Sequence, residues 1–309
     1  MDAGADCLAV ALVEEGVRLR EAGISTPILL LSQPDPEAVK DIVRWELTPT
    51  AYAESFLQAL SDAGADLDVH VKVDTGMHRV GAPPSKLTTL VDAIARDDHL
   101  RLGGLWTHFS VADEDPVYTK LQIEAFEDAI DGLEAPILHL ANTAGATLFP
   151  ESRRDLCRIG LGMYGLHPCD KTRGVVDLRP AMRVITHVSH VQRLPAGERP
   201  SYGRRRLLDV ESTVATAPIG YADGYARGLS NSASVLIGGK RFPLAGTVTM
   251  DQIVIDVGDE NVAIGDEVVV LGSQGGEEFG ADEWAAALGT ISYEVVCSIG
   301  PRVPRRYFS

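Results

Sequence analysis

The stretch DLDVHVKVDTGMHRVG, residues 66–81, decides how this chain is read. Its first part, Asp68 to Val73, is a short valine-rich run of the kind that forms a buried strand; its second part breaks into a glycine-containing loop carrying Asp74 and Arg79. A strand that delivers Lys72, Asp74 and Arg79 to its carboxyl end is the unit from which parallel α/β barrels build their sites. The same form recurs on both sides. Candidate strands are Cys7 to Ala11, Pro27 to Leu31, Glu46 to Ala51, Asp68 to Val73, Leu102 to Thr107, Ile137 to Ala141 and Leu156 to Gly160, with helical patterns between them. Asp35 before Pro36 marks a helix start, and Gly23 and Gly64 mark helix ends.

Seven β-α units are one short of a closed eight-stranded barrel, and the chain opens directly into a strand. Beyond about residue 176 the pattern changes to alternating valine-rich segments with glycine turns, such as SASVLIGGKRFPLAG and IVIDVGDENVAIGDEVVVLG. The expected fold is therefore a TIM-like (β/α)8 barrel missing its first β-α unit over residues 1–176, followed by an antiparallel β domain over residues 177–309.

Composition narrows the function. The 309 residues, 45% hydrophobic, are enough for a large core, and a formal charge of -16 leaves no basic surplus to neutralise nucleic-acid phosphates or an anionic membrane. Cys7, Cys157, Cys169 and Cys297 lack metal-type or redox-type spacing and read as packing residues in a reducing compartment. No metal site is expected. With no membrane-length apolar run and no secretory signal at the start, the expected location is the cytoplasm.

Other strand ends are also unusually polar. GGLWTHFSVAD places His108 at one, HLANTAGA places His139, Asn142 and Thr143 at another, and LCRIGLGMYG places Arg158, Gly160 and Leu161 at a third. Singly these residues have bland explanations. Lys72 fits a side chain that carries its head to solvent, His108 a satisfied core histidine, and Asn142 with Thr143 a helix cap. Four such segments on one barrel face favour a site, and the glycines of RIGLGMYG suit an anion-binding turn. In the second domain Tyr225 reads as a packed tyrosine with a bonded hydroxyl, whereas Tyr221 in IGYADGYARG does not.

In this order, VKVDTGMHRVG, THFSVAD, HLANTAGA, RIGLGMYG, SYGRR, IGYADGY, TMDQ and SYEV resemble bacterial alanine racemases over essentially the whole chain. The resemblance implies a pyridoxal-phosphate enzyme that works as a homodimer, interconverts L- and D-alanine by a two-base reaction and supplies D-alanine for peptidoglycan. It further implies that Tyr221 is the base serving the L face from the partner subunit, with His108 relaying to Arg158 and Arg158 donating to the pyridine nitrogen. Asn142 would help hold Arg158 or the cofactor, and Thr143, Gly160, Leu161 and Tyr293 would hold its phosphate. Arg79 would contact the cofactor and the substrate carboxylate, Met250 would offer that carboxylate a backbone amide, and Lys72 matches a lysine that is carbamylated in many relatives.

The family's cofactor lysine lies in a segment resembling VKANAYGHG, which is absent here. The lysines are Lys40, Lys72, Lys86, Lys120, Lys171 and Lys240, none in a matching context. The expectation is an N-terminally truncated alanine racemase, inactive or severely impaired as given. The alternatives are a serine or broad-specificity racemase, or a non-catalytic pyridoxal-phosphate-binding relative.

Overall fold

The computed structural model describes residues 4–308, which fall into two compact units. The first runs to Gly162 and includes His167–Asp177; the second comprises Met163–Leu166 and the chain from Leu178 onward.

In the first unit strands and helices alternate strictly. They are β1 (Leu8–Val10), α1 (Val13–Glu21), β2 (Ile28–Leu30), α2 (Val39–Arg44), β3 (Thr50–Ala51), α3 (Glu54–Ser61), β4 (Leu67–Lys72), α4 (Leu87–Ala95), β5 (Leu100–Trp106), α5 (Pro116–Ile130), β6 (Leu138–His139) and α6 (Thr143–Leu148). Every strand pair is parallel, in the order β1-β2 and β3-β4-β5-β6, and a parallel bridge from Leu29 to Thr48 joins the two sets. Strand neighbours thus follow chain order, as in a (β/α) barrel.

Local sequence explains the elements. In β4 all residues but Asp68 are buried, as expected for a parallel strand covered on both faces. Helix α4 buries Leu87, Leu90 and Ile94 at helical spacing against that sheet. Helix α5 begins with Pro116 behind Asp115, whose Oδ1 accepts from the amides of Val117 and Tyr118 at 2.9 and 3.0 Å. It buries Gln122 along with Ile123, Phe126 and Ile130.

The seventh expected strand, Leu156 to Gly160, is not one. The chain here runs beside β6 and the residues after it, through Asp155 N to Leu138 O (3.1 Å) and Arg158 N to Ala141 O (2.9 Å). These contacts are three residues apart on each chain, so the two-residue repeat of a ladder is not established. Among the described residues this unit has six strands.

The second unit holds β7 (Val184–His187), β8 (His190–Leu194), β9 (Ser212–Ala217), β10 (Ser234–Ile237), β11 (Lys240–Pro243), β12 (Ile253–Gly258), β13 (Glu267–Gln274) and β14 (Glu277–Phe279), followed by α7 (Ala281–Leu288) and α8 (Ser292–Ser298). All its strand pairs are antiparallel, with β12-β9-β8 in one sheet and β11-β10-β13-β14 in another. In β12 Ile253, Ile255 and Val257 point inward while the intervening residues are half-exposed, which is the period of two for a one-sided sheet. Gly238 and Gly239, both at positive φ, make the tight β10–β11 turn.

No helix among the described residues is long and apolar enough to cross a membrane. The four cysteines are free, and Cys297 is exposed, so it is not the packing residue expected.

Candidate functional site

At the carboxyl ends of β4, β5 and β6 the first unit gathers two cations and a neutral imidazole around one aromatic ring. Trp106 closes β5 and is buried; Lys72 Nζ lies 4.4 Å from its ring centroid, Arg158 Cζ lies 4.6 Å away, and the His139 ring stacks on it at 5.3 Å. Trp106 Nε1 has no partner among the described residues. Sequence reading passed over this tryptophan because nothing in GGLWTHF separates a core indole from a platform for cations.

Lys72 is 3% exposed, so its head does not reach solvent as a surface lysine would. It has no hydrogen bond or ion pair among the described residues. Burial first, then Arg79 and Arg158, lower its pKa to about 8, against a smaller opposing effect of Asp74.

Arg158 is the most heavily bonded side chain in the cluster. Its Nη1 donates to His139 Nδ1 (2.8 Å) and to the His139 carbonyl (3.0 Å). Its Nη2 donates to the carbonyls of Thr107 (2.7 Å) and Leu140 (2.9 Å) and to His108 Nδ1 (3.2 Å). Every acceptor is uncharged. The Nε–H alone is left without a partner among the described residues, so the guanidinium is fixed on one side and open on the other.

His108 is half-buried, and burial, Arg158, Lys72 and Arg79 together lower its pKa to about 3. Arginine offers only donors, so His108 Nδ1 must present a lone pair and its proton sits on Nε2. The loop that follows is held by Gln122 of α5, another residue sequence reading missed. Its Oε1 accepts from Ser110 N and Oγ at 2.9 and 3.0 Å, and its Nε2 donates to His108 O at 3.3 Å.

Asp74 organises the loop that carries Arg79, because its Oδ1 accepts from the amides of Gly76, Met77 and His78, each at 3.0 Å. Val73 bridges Ala82 and closes the loop. Arg79 itself is exposed and makes no hydrogen bond among the described residues.

Asn142 is the N-cap of α6, with its Oδ1 accepting from Gly145 N at 2.8 Å; that oxygen is committed to the helix. Thr143 Oγ1 accepts from Gly160 N at 3.1 Å and Gly162 N at 3.5 Å, which leaves its proton free to be donated. A Cβ at Gly162 would come within 2.7 Å of Thr143 Cγ2, so the turn needs glycine to approach this closely. Gly160 is exposed and Leu161 buried beside it.

In the second unit Tyr221 is an exposed tyrosine on a fixed backbone. Tyr221 N donates to Thr249 O and Ala222 N to Met250 O, each at 3.0 Å. Gly220 makes this approach possible, since a Cβ there would lie 2.3 Å from both the Thr249 and Met250 oxygens. Tyr221 and Met250 are thereby neighbours, and both are solvent-accessible. Tyr293 stands in the first turn of α8, partly exposed. Tyr225 is fully buried edge-on against Trp284 at 4.8 Å, but its hydroxyl has no partner among the described residues.

The donor set fits pyridoxal phosphate. It offers an open Nε–H for a ring nitrogen, a free hydroxyl beside a glycine turn for a phosphate, and unneutralised cations for anionic ligand groups. Among the described residues no group of histidine, cysteine and acidic side chains could hold a metal ion.

Comparison with known proteins adds independent information. The alanine racemase N-terminal domain family matches residues 1–168 and the alanine racemase C-terminal domain family residues 181–307. The chain is 45% identical to alanine racemase of Symbiobacterium thermophilum, covering 99% of this chain and 84% of that protein. It is 42% identical to alanine racemase 2 of Bacillus subtilis, covering 99% and 82%. The solved alanine racemase of E. faecalis superposes with a TM-score of 0.94 at 37% identity, covering 99% of this chain and 84% of that one. A histidine racemase from Leuconostoc mesenteroides superposes with a TM-score of 0.92 at 27% identity, covering 100% and 85%.

Proposed function

This chain belongs to the alanine racemase family, and from that premise we propose that it serves the interconversion of L- and D-alanine with pyridoxal 5'-phosphate as cofactor. The observation that carries this reading is the Arg158 side chain, locked by uncharged acceptors on both Nη atoms and open only at Nε. When bound, pyridoxal phosphate supplies an electron sink that makes the α-proton of an amino acid labile.

Arg158 would hold the ring nitrogen. Because a guanidinium keeps its proton, Arg158 would donate to that nitrogen without protonating it. Thr143, Gly160, Leu161 and Tyr293 would hold the phosphate, with Asn142 keeping the Thr143 helix in place through its cap. Arg79 and the Met250 amide would orient the substrate carboxylate. Tyr221, from the partner subunit of a homodimer, would move the α-proton on the L face, with His108 Nε2–H able to donate to the phenolic oxygen. Tyr293 would limit the substrate side chain to a small group. Lys72, an almost buried amine with a lowered pKa beside two arginines, suits reaction with CO2 to give a carbamate that orients Arg79. The product D-alanine suits peptidoglycan synthesis, in the cytoplasm.

Racemisation requires an acid–base group on each face of the α-carbon. None of the six lysines stands in the family's cofactor-lysine context, so we expect these 309 residues by themselves to be inactive or severely impaired. The histidine racemase on the same fold keeps open a larger substrate range.

The test is α-proton exchange of L-alanine in deuterated water with added pyridoxal phosphate. This chain should not exceed the rate of pyridoxal phosphate alone. The same chain preceded by a β-α unit containing VKANAYGHG should exchange and racemise alanine, and Tyr221→Phe in that longer protein should abolish racemisation. Racemisation of histidine or serine faster than alanine would overturn the substrate assignment.

A further inference from the structure

Behind Arg158 two histidines are hydrogen-bonded in series, and the proposed chemistry does not use them. His139 is fully buried and His70 nearly so. His139 Nδ1 accepts from Arg158 Nη1 at 2.8 Å, and His139 Nε2 lies 2.9 Å from His70 Nδ1. The donor logic has one solution. Arginine has no lone pair to offer, so His139 Nδ1 is unprotonated and its proton is on Nε2. That proton is donated to His70 Nδ1, which places the His70 proton on Nε2. Either ring could gain a second proton only by breaking one of these bonds.

The sheet is built around this arrangement. The β4–β5 register shifts between Val69 and His70. A Cβ on Gly104 would lie 2.8 Å from His70 Cε1 and Nδ1, and one on Gly103 would lie 2.9 Å from His70 Cδ2. A bulge and two consecutive glycines of β5 therefore admit the His70 imidazole.

We propose that His70 and His139 form a neutral, tautomer-locked pair that positions Arg158, keeping its Nε–H as the one open donor. The inference rests on the role given above to Arg158. Both are positioning residues, because neither needs to touch a substrate or cofactor. The groups facing them agree: burial and Arg158 lower the His70 pKa to about 4 despite Asp68, and burial, Arg158 and His70 lower that of His139 further still.

The test needs neither cofactor nor turnover, so failure of the racemase reading would leave its outcome intact. The chain labelled with 15N-histidine is observed by long-range proton–nitrogen correlation between about pH 6 and 8, the range in which an ordinary histidine titrates. His70→Gln and His139→Gln variants assign the signals. Both rings should carry a single proton on Nε2 throughout. A proton on His139 Nδ1, or a second proton on either ring in that range, overturns the proposal. Glutamine at 139 can still accept from Arg158 and donate to His70, so His139→Gln should retain slowly exchanging Arg158 guanidinium signals, whereas His139→Leu should lose them. Unchanged Arg158 signals in the leucine variant would equally overturn it. Should that variant not fold, the wild-type tautomers still decide.

Discussion

Arg158 Nη2 lies 3.2 Å from His108 Nδ1, and this one contact fixes both the charge and the tautomer of His108. A guanidinium can only donate, so the histidine faces it as a neutral acceptor and its Nε2–H is the atom left for chemistry.

Acid should therefore unfold the barrel unit early. The His108 pKa is lowered to about 3, so below its unfolded value the unfolded chain binds the proton that the folded chain refuses. Stability from this group is complete above about pH 6.5 and is lost as pH falls toward 3, by roughly 1 kcal/mol per pH unit. Urea midpoints at pH 7 and pH 5 should show a drop that is smaller in His108→Gln.

Lys72 follows the same sign in a more alkaline window. Its folded pKa of about 8 lies below the unfolded value, so at neutral pH the folded state holds a penalised ammonium, and stability rises as pH passes from about 8 to 10.5. Lys72→Met should stabilise the chain near pH 7, by up to about 3 kcal/mol from the shift alone. The gain should shrink toward pH 10, as urea denaturation would show. Mass spectrometry under bicarbonate should find one CO2 adduct on the wild type and none on the variant.

Arg158→Ala would strand the carbonyls of Thr107 and Leu140, which now accept from one side chain, while the His139 carbonyl would keep the Thr107 amide. Each unsatisfied buried acceptor costs about 1–3 kcal/mol, so a total loss of at least about 2 kcal/mol is expected in denaturation. Arg158→Lys should recover only part of it, because an ammonium cannot span the same fork.

Thr143→Val removes one hydroxyl while keeping the shape. If that proton is donated to the cofactor phosphate, affinity for pyridoxal phosphate by calorimetry should fall about tenfold or more. Thr143→Ser should bind nearly as well as wild type.

Gly220→Ala places a Cβ 2.3 Å from two carbonyl oxygens. The Tyr221 turn must then leave the Thr249–Met250 segment, and a stability loss of about 2 kcal/mol or more is expected on thermal melting. Tyr221→Phe, changing only an exposed hydroxyl, should melt with the wild type.

The sequence by itself determined the alternation of strands and helices, the change to an antiparallel β domain and the ordered motifs. These are local quantities, set by hydrophobic period, glycine and proline punctuation and residue type over a few positions. It could not show that Leu156 to Gly160 falls short of a strand, because a ladder needs a partner in register. Nor could it give Trp106, His70 or Gln122 their places. Trp106 reads as a core residue until Lys72 and Arg158 are found against its face, and His70 is one more position in a buried strand until Gly103 and Gly104 are seen to make room for its ring. Side chains from three different strands and the segment beyond α6 meet only when the sheet forms, so tertiary structure alone decided which of the candidate polar residues share a charge, a proton or an acceptor.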